Sequence, residues 1–334
     1  MPRPELRATR SQLAAAFDGR TFTSEEARGA GVPHHRLAAA TQAGLVHRLR
    51  RGHYRVATVD PEDGRLADCL ERLASRGITA CAGFRTAVRI WDTPIWTDRA
   101  PGAPTVLVPR DAGIGVGLRG GVKLRACNVD PGRIVLGPGS IPVTDPLLTA
   151  VHVAAMPRTS LAQMMVLLCG GMRRHLSRSI GDPSTLTELT GQEKTRAELS
   201  GDLLDAAIRA DVRGRRRVLD VVSFVDPRLE TALESISWAR FIEAGIELPR
   251  PQVWLAGASG RSWRVDFLFG SHVVGECDGA VKYGEATSLW REKKRQADLE
   301  AAGYIVVRWT WEEIVFRPHV VLARIALALS RAAS

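Results

Sequence analysis

Cysteine is scarce: the chain of 334 residues has five, at 69, 81, 127, 169 and 277, and no two of them form a CxxC pair. That spacing excludes a disulfide framework or a zinc ribbon and fits a reducing cytoplasm. Long apolar runs are also missing. LAQMMVLLCGGM and VVLARIALAL fall short of the ~18 residues that a membrane span needs. The opening MPRPELRATR lacks the apolar core of a secretory leader, so the expectation is a cytoplasmic protein with no membrane partner. The glycine-rich GVGLRGG beginning at Gly115 lacks the GK[ST] ending of a phosphate-binding loop and is expected to be a flexible turn.

What the chain does contain is ordinary globular material, 45% hydrophobic and 25% charged, enough for two or three domains. Lysine and arginine number 46 against 36 acids, a net charge of +10, which favours a polyanionic partner. The excess is uneven. Residues 1–57 hold ten arginines and four acids.

Within those residues, TRSQLAAAF is expected to form a helix, SEEARGAG a second helix capped by Thr23 or Ser24, and HHRLAAATQAG a third that starts at Pro33. LVHRLRRGHYRVA follows as two short strands around Arg51 and Gly52. Three helices and a basic hairpin make the order of a winged helix-turn-helix, whose third helix enters the major groove while the wing meets phosphates. His34, His35, Arg36 and Gln42 fall on or near the reading helix, and Arg48, Arg50, Arg51, His53 and Arg55 on the wing. The stretch resembles the N-terminal domain of AbiEi-type antitoxins, which implies operator DNA and a toxin as partners.

Further on, EDGRLADCLERLASRG and TACAGFRTAVRIW are expected as helices. PTVLVP, VKLRACNV and the IVLGPGSIPVT region are expected as strands, and DPLLTAVHVAAM as a helix starting at Asp145 and Pro146. This mixed pattern is also similar to that of AbiEi-like proteins. A polar stretch from 181 to 220, with the run VRGRRRV, connects it to the C-terminal third.

The segment WRVDFLFGSHVVGECD sets Asp266, Glu276 and Asp278 inside two apolar runs rich in Val and Phe and separated by turn residues, which predicts a β-hairpin. With a three-residue loop, Gly270–His272, Phe269 pairs with Val273 and Asp266 stands opposite Glu276, with Asp278 on the same face. Val265, Phe267, Phe269, Val273 and Cys277 then point into a core. A two-residue loop would instead set Asp266 against Gly275. Opposed like charges destabilise a ladder, so a divalent cation is expected to offset them. The alternative is a wet polar face on which arginines such as Arg264 or Arg308 pair the acids.

A helix-borne acid at Glu234 in ALES, then PRPQ, RVDF, VVGECDGAVKYG and REKKRQADLEAAGYIVVRWTW together resemble the PD-(D/E)XK nuclease superfamily. More closely, they resemble a bacterial domain-of-unknown-function family related to very-short-patch-repair endonucleases. The resemblance spans roughly residues 227–314. It implies that Glu234, Asp266 and Glu276 bind Mg²⁺ or Mn²⁺, that Asp278 joins them or orients a water, and that Lys282 or Lys293 steadies the scissile phosphate. Asp278 stands where the superfamily usually has lysine.

The expected architecture is an α/β and α+β multidomain chain. It has a winged helix-turn-helix over 1–57, a mixed α/β middle region over 60–200, and a restriction-endonuclease-like αβββαβ core over 220–334. The expected activity is DNA binding with Mg-dependent endonucleolytic hydrolysis of phosphodiesters, with DNA and a toxin or repair protein as partners. The alternative is an AbiEi-type antitoxin or transcriptional regulator whose nuclease-like domain is silent.

Overall fold

The computed structural model describes residues 4–17, 20–43, 45–56, 61–97, 102–180, 183–278 and 286–333. It begins with α1 (Pro4–Phe17), β1 (Phe22–Thr23), α2 (Ser24–Gly29), α3 (His34–Gln42), β2 (Val46–Arg50) and β3 (His53–Val56). The three strands form an antiparallel sheet in the order β1-β3-β2. Leu13 and Phe17, four apart on α1, share a buried face; Phe17 stacks on Phe22 at 4.4 Å, and Leu37 and Val46 complete the core. Thr23 caps α2 in a reciprocal box: its hydroxyl accepts the Glu26 N–H (3.1 Å) while the Glu26 carboxylate accepts the Thr23 N–H (2.7 Å).

Next come α4 (Pro61–Ala74), β4 (Cys81–Ala82), α5 (Phe84–Trp91), β5 (Thr105–Val108), β6 (Gly117–Arg119), β7 (Val122–Ala126), β8 (Ile134–Leu136) and β9 (Pro142–Thr144). The six strands lie in the order β6-β7-β5-β4-β9-β8. Two expectations are corrected here. Cys81 and Ala82 are not helical; they pair with Leu107 and Val106, and the helix starts only after Gly83. The glycine-rich stretch contains a short strand, with Leu118 opposite Lys123. Leu66 and Leu70 of α4 pack with Val106, Val108 and Leu124 of the sheet.

Helices α6 (Pro146–Ala154), α7 (Leu161–Ser177), α8 (Leu186–Gly191), α9 (Glu193–Arg209) and α10 (Arg215–Leu219) follow. Asp145 caps α6 by accepting the Leu148 N–H at 2.9 Å, as its position before Pro146 suggested. Within the basic run, the Arg217 guanidinium donates to the Met156 carbonyl at 3.2 Å and to that of Thr159, so this arginine closes backbone groups.

The last part of the chain is α11 (Ala232–Glu243), β10 (Arg250–Ala256), β11 (Ser262–Phe269), β12 (Val273–Asp278), α12 (Ala286–Ala301), β13 (Ile305–Thr310), α13 (Trp311–Phe316) and α14 (Pro318–Ala332). The sheet order is β10-β11-β12-β13, antiparallel except for the β12–β13 pair, which α12 connects as a parallel crossover. From α11 to β13 the element order is the expected αβββαβ. Gly270 has φ +54 at the hairpin turn, Phe269 pairs with Val273, and the three-residue loop sets the register. On one side of the sheet, Phe241 of α11 meets Phe267, Phe269 and Trp309 edge-on at 5.2–5.9 Å. On the other, Leu299 of α12 joins Leu255, Val265, Leu268 and Val274.

By compactness the chain divides into two units: residues 1–92, 99–149 and 209–212 form one, and 93–98, 150–208 and 213–334 the other. Arg50 and Arg55 of the wing reach Asp68 and Glu71 of α4, which ties the winged helix to the six-stranded sheet, and α7 packs on α11. Among the described residues no helix is long and apolar enough to cross a membrane.

Candidate nucleic-acid interface and carboxylate cluster

Leu37 and Ala40 turn one face of α3 inward, which leaves His34, His35, Ala38, Ala39 and Gln42 exposed. The expected contact set divides. Arg36 is held by Thr9, whose hydroxyl accepts from its guanidinium at 2.7 and 3.1 Å. Arg50 pairs with Asp68 at 3.3 Å and Arg55 with Glu71 at 3.7 Å, and the ring of His53 lies 3.3 Å from the Arg51 carbonyl. These four are therefore engaged within the fold. Arg48 and Arg51 remain exposed on the wing, as His34, His35 and Gln42 do on α3.

Sequence reasoning missed the partners because they lie 18 and 27 residues away for Arg50 and Arg36. The two acids on one helix, Asp68 and Glu71, were the signal available.

In the other unit, Glu234 stands in the first turn of α11. Its backbone N–H bonds the Thr231 hydroxyl (3.1 Å), which also donates to the Glu234 carboxylate (2.7 Å). A second oxygen of Glu234 accepts from the Glu230 N–H at 3.0 Å and from the Gln252 amide at 2.8 Å. The same amide lies 3.4 Å from Asp266, whose other oxygen accepts the Cys277 N–H at 2.8 Å.

The ladders are interrupted at this point. Pro251 pairs with Phe267 and Val253 with Val265, but Gln252 and Asp266 are skipped, and Gln252 has φ +55, a conformation that costs roughly 1–3 kcal/mol in a residue with a side chain. The expected alternation breaks here as well. Val265 and Leu268, three apart, pack in one cluster with Leu299, so Val265 does not share the face of Phe267 and Phe269.

Glu276 receives the Arg295 guanidinium from α12, which also donates to the Arg264 carbonyl at 2.7 Å. Asp278 has a different hydrogen-bonding partner. Arg308 of β13 donates to it at 2.9 Å and to Glu292 at 2.7 Å, the arginine pairing that the alternative reading of the hairpin expects. Arg264 pairs with Glu230 at 2.7 Å rather than with the strand acids. Lys293 is exposed on α12, and Lys282 lies outside the described residues.

Burial, then the charge of Asp266, raises both Glu234 and Glu276 to about 7 from an ordinary 4.5. Burial raises Asp266 as well, and pushes the Cys277 thiol far up.

Carboxylate oxygens are the donors a hard divalent cation takes, and Glu234, Asp266 and Glu276 are the residues that would hold one, in competition with the protons that their burial favours. In the arrangement described, protein donors engage all three side chains. Among the described residues, no three His, Cys, Asp or Glu side chains form a ready metal-binding group. Gln252 and Arg295 are the two members of this site that sequence reasoning left without a role. The PRPQ motif and the arginine four residues before Leu299 were the available signals.

The comparisons with known proteins bear on the first interface. Residues 11–57 match the family of AbiEi antitoxin transcriptional regulators. The segment thus carries an AbiEi-type regulator domain, and the three helices and wing described above are that domain. Two uncharacterized proteins of Mycobacterium tuberculosis, from strains CDC 1551 and H37Rv, are each 28% identical over 161 residues. The match covers 47% of this chain and 59% of each relative. A crystal structure of the RV2827C protein from M. tuberculosis overlays 76% of this chain and 85% of its own, with 14% identity and a TM-score of 0.36, below the level at which a shared fold follows.

Proposed function

We propose that this chain is a DNA-binding transcriptional regulator of the AbiEi antitoxin type, with a toxin protein as its macromolecular partner. The observation that carries the proposal is the solvent-facing side of α3 beside exposed Arg48 and Arg51, all within the segment that matches the regulator family. A helix seated in the major groove with wing arginines on phosphates is a general mode of duplex recognition, and a net charge of +10 adds long-range attraction. The test is capture of genomic DNA fragments by the full chain against excess unrelated duplex. Enrichment of a few fragments is expected; equal recovery of all fragments rejects the proposal.

A second reading, phosphodiester hydrolysis, is favoured by one observation: Asp266 shares the Gln252 amide with the buried Glu234 and its charge acts on both Glu234 and Glu276. On this reading Mg²⁺ or Mn²⁺ held by these three would supply Lewis-acid stabilisation of phosphoryl oxygens, with Lys282 or Lys293 steadying the phosphate. Metal-dependent nicking of supercoiled DNA that is lost in Asp266→Ala supports it. Uncut DNA with either metal removes it.

A further inference from the structure

The outward face of α3 is small and carries little charge. Leu37 and Ala40 are buried, and the Thr41 hydroxyl donates to the Leu37 carbonyl at 2.8 Å. Arg36, the only basic guanidinium on α3, is turned to Thr9. Seven residues make about two turns of helix, with a drift of about 20°, so His35 and Gln42 lie almost on one line, diametrically opposite the Leu37–Ala40 side. His34 sits about a quarter-turn away. Between His35 and Gln42 on the exposed face stand only Ala38 and Ala39.

We infer that α3 reads DNA sequence with two side chains, His35 and Gln42, set about three base pairs apart across an alanine gap that admits thymine methyls. The inference rests on the DNA-binding reading above and assigns its specificity. Seven residues rise about 10.5 Å along a helix, and base pairs are spaced about 3.4 Å apart, so the two side chains reach positions separated by about three steps. The Gln42 amide matches the N6 and N7 edge of adenine, and alanine side chains are apolar contacts for the thymine C5-methyl. A ring N–H of His35 meets a purine N7 or guanine O6. The two alanines let the helix backbone approach the groove floor closely enough for both side chains to reach. Arg48 and Arg51 then fix register through phosphates and carry no sequence information.

The experiment is selection from a randomised duplex library by the full chain, repeated with Gln42→Ala, Gln42→Arg and His35→Ala. All three changes are on the exposed face and leave the core residues untouched. The parent is expected to select a motif with an adenine at one position and a purine about three steps away. Gln42→Ala should lose discrimination of about 10- to 100-fold at the adenine alone, and His35→Ala at the purine alone. Gln42→Arg should convert the adenine preference to guanine. A parent that selects a motif which all three variants also select overturns the assignment while leaving DNA binding in place. A parent that selects no motif overturns the DNA-binding reading together with it.

Discussion

A single amide joins a buried carboxylate to a half-buried one: Gln252 lies 2.8 Å from Glu234 and 3.4 Å from Asp266. It does so from a left-handed backbone conformation at a point where the β10–β11 ladder is skipped. One side chain thus offsets part of the repulsion between the helix acid and the strand acid, at the cost of local strain.

Replacing Gln252 separates these effects. Gln252→Ala removes the amide and keeps the strain, and should destabilise by about 1–3 kcal/mol, chiefly through the buried Glu234 carboxylate that loses a donor. Gln252→Gly removes both, and should be more stable than the alanine variant by about 1 kcal/mol. Urea denaturation followed by tryptophan fluorescence gives the order, and an alanine variant as stable as the glycine one would show that the conformation is unstrained.

Stability should depend on pH through Glu234 and Glu276. Each has a folded value of about 7 against an ordinary 4.5, so the folded state holds more protons than the unfolded one between those values. Their stabilising contribution is complete below pH 4.5 and is lost as pH rises through about 7. The urea midpoint should therefore fall from pH 5 to 7.5. Glu234→Gln and Glu276→Gln should each flatten that slope. An unchanged slope in both variants contradicts the assignment.

On the wing, neighbouring arginines should behave differently. Arg51 is exposed, and Arg51→Ala should weaken binding to all DNA sequences alike and reduce the salt slope by about one. Arg50 pairs with the buried Asp68, and Arg50→Ala should cost about 1 kcal/mol of stability or less, given its partial exposure, with the slope unchanged. Titrations at several salt concentrations distinguish the two; a reduced slope in Arg50→Ala would place it on DNA.

Gly275 gives a packing test. A Cβ there would stand 2.6 Å from the Trp309 ring and 3.0 Å from that of Phe269, so Gly275→Ala should overpack the core and cost about 1–3 kcal/mol. Thermal melts of the variant and parent check this, and equal midpoints would mean that Trp309 moves aside freely.

Local signals in the sequence foretold much of this structure. The Gly270–His272 turn set the hairpin register, Asp145 before Pro146 marked the start of α6, and the exposed and buried residues of α3 follow its helical period. What was hidden depends on distant partners. Whether Arg36, Arg50 and Arg55 meet DNA or the protein depends on Thr9, Asp68 and Glu71, which are brought near only by the fold. The same is true of Asp278. Strand alternation placed it beside Asp266 and Glu276, but nothing local shows that Arg308 of the parallel neighbour β13 donates to it. The change of face at Asp266 needs Gln252 in an unusual conformation, which composition alone does not reveal.

The most direct measurement is the ratio of affinities of the full chain, at one fixed salt concentration, for its best-enriched genomic fragment and for unrelated duplex of equal length. A sequence-reading regulator predicts a ratio of about 10³ or more. A ratio near one, with both affinities falling equally as salt rises, would contradict it and leave only charge attraction.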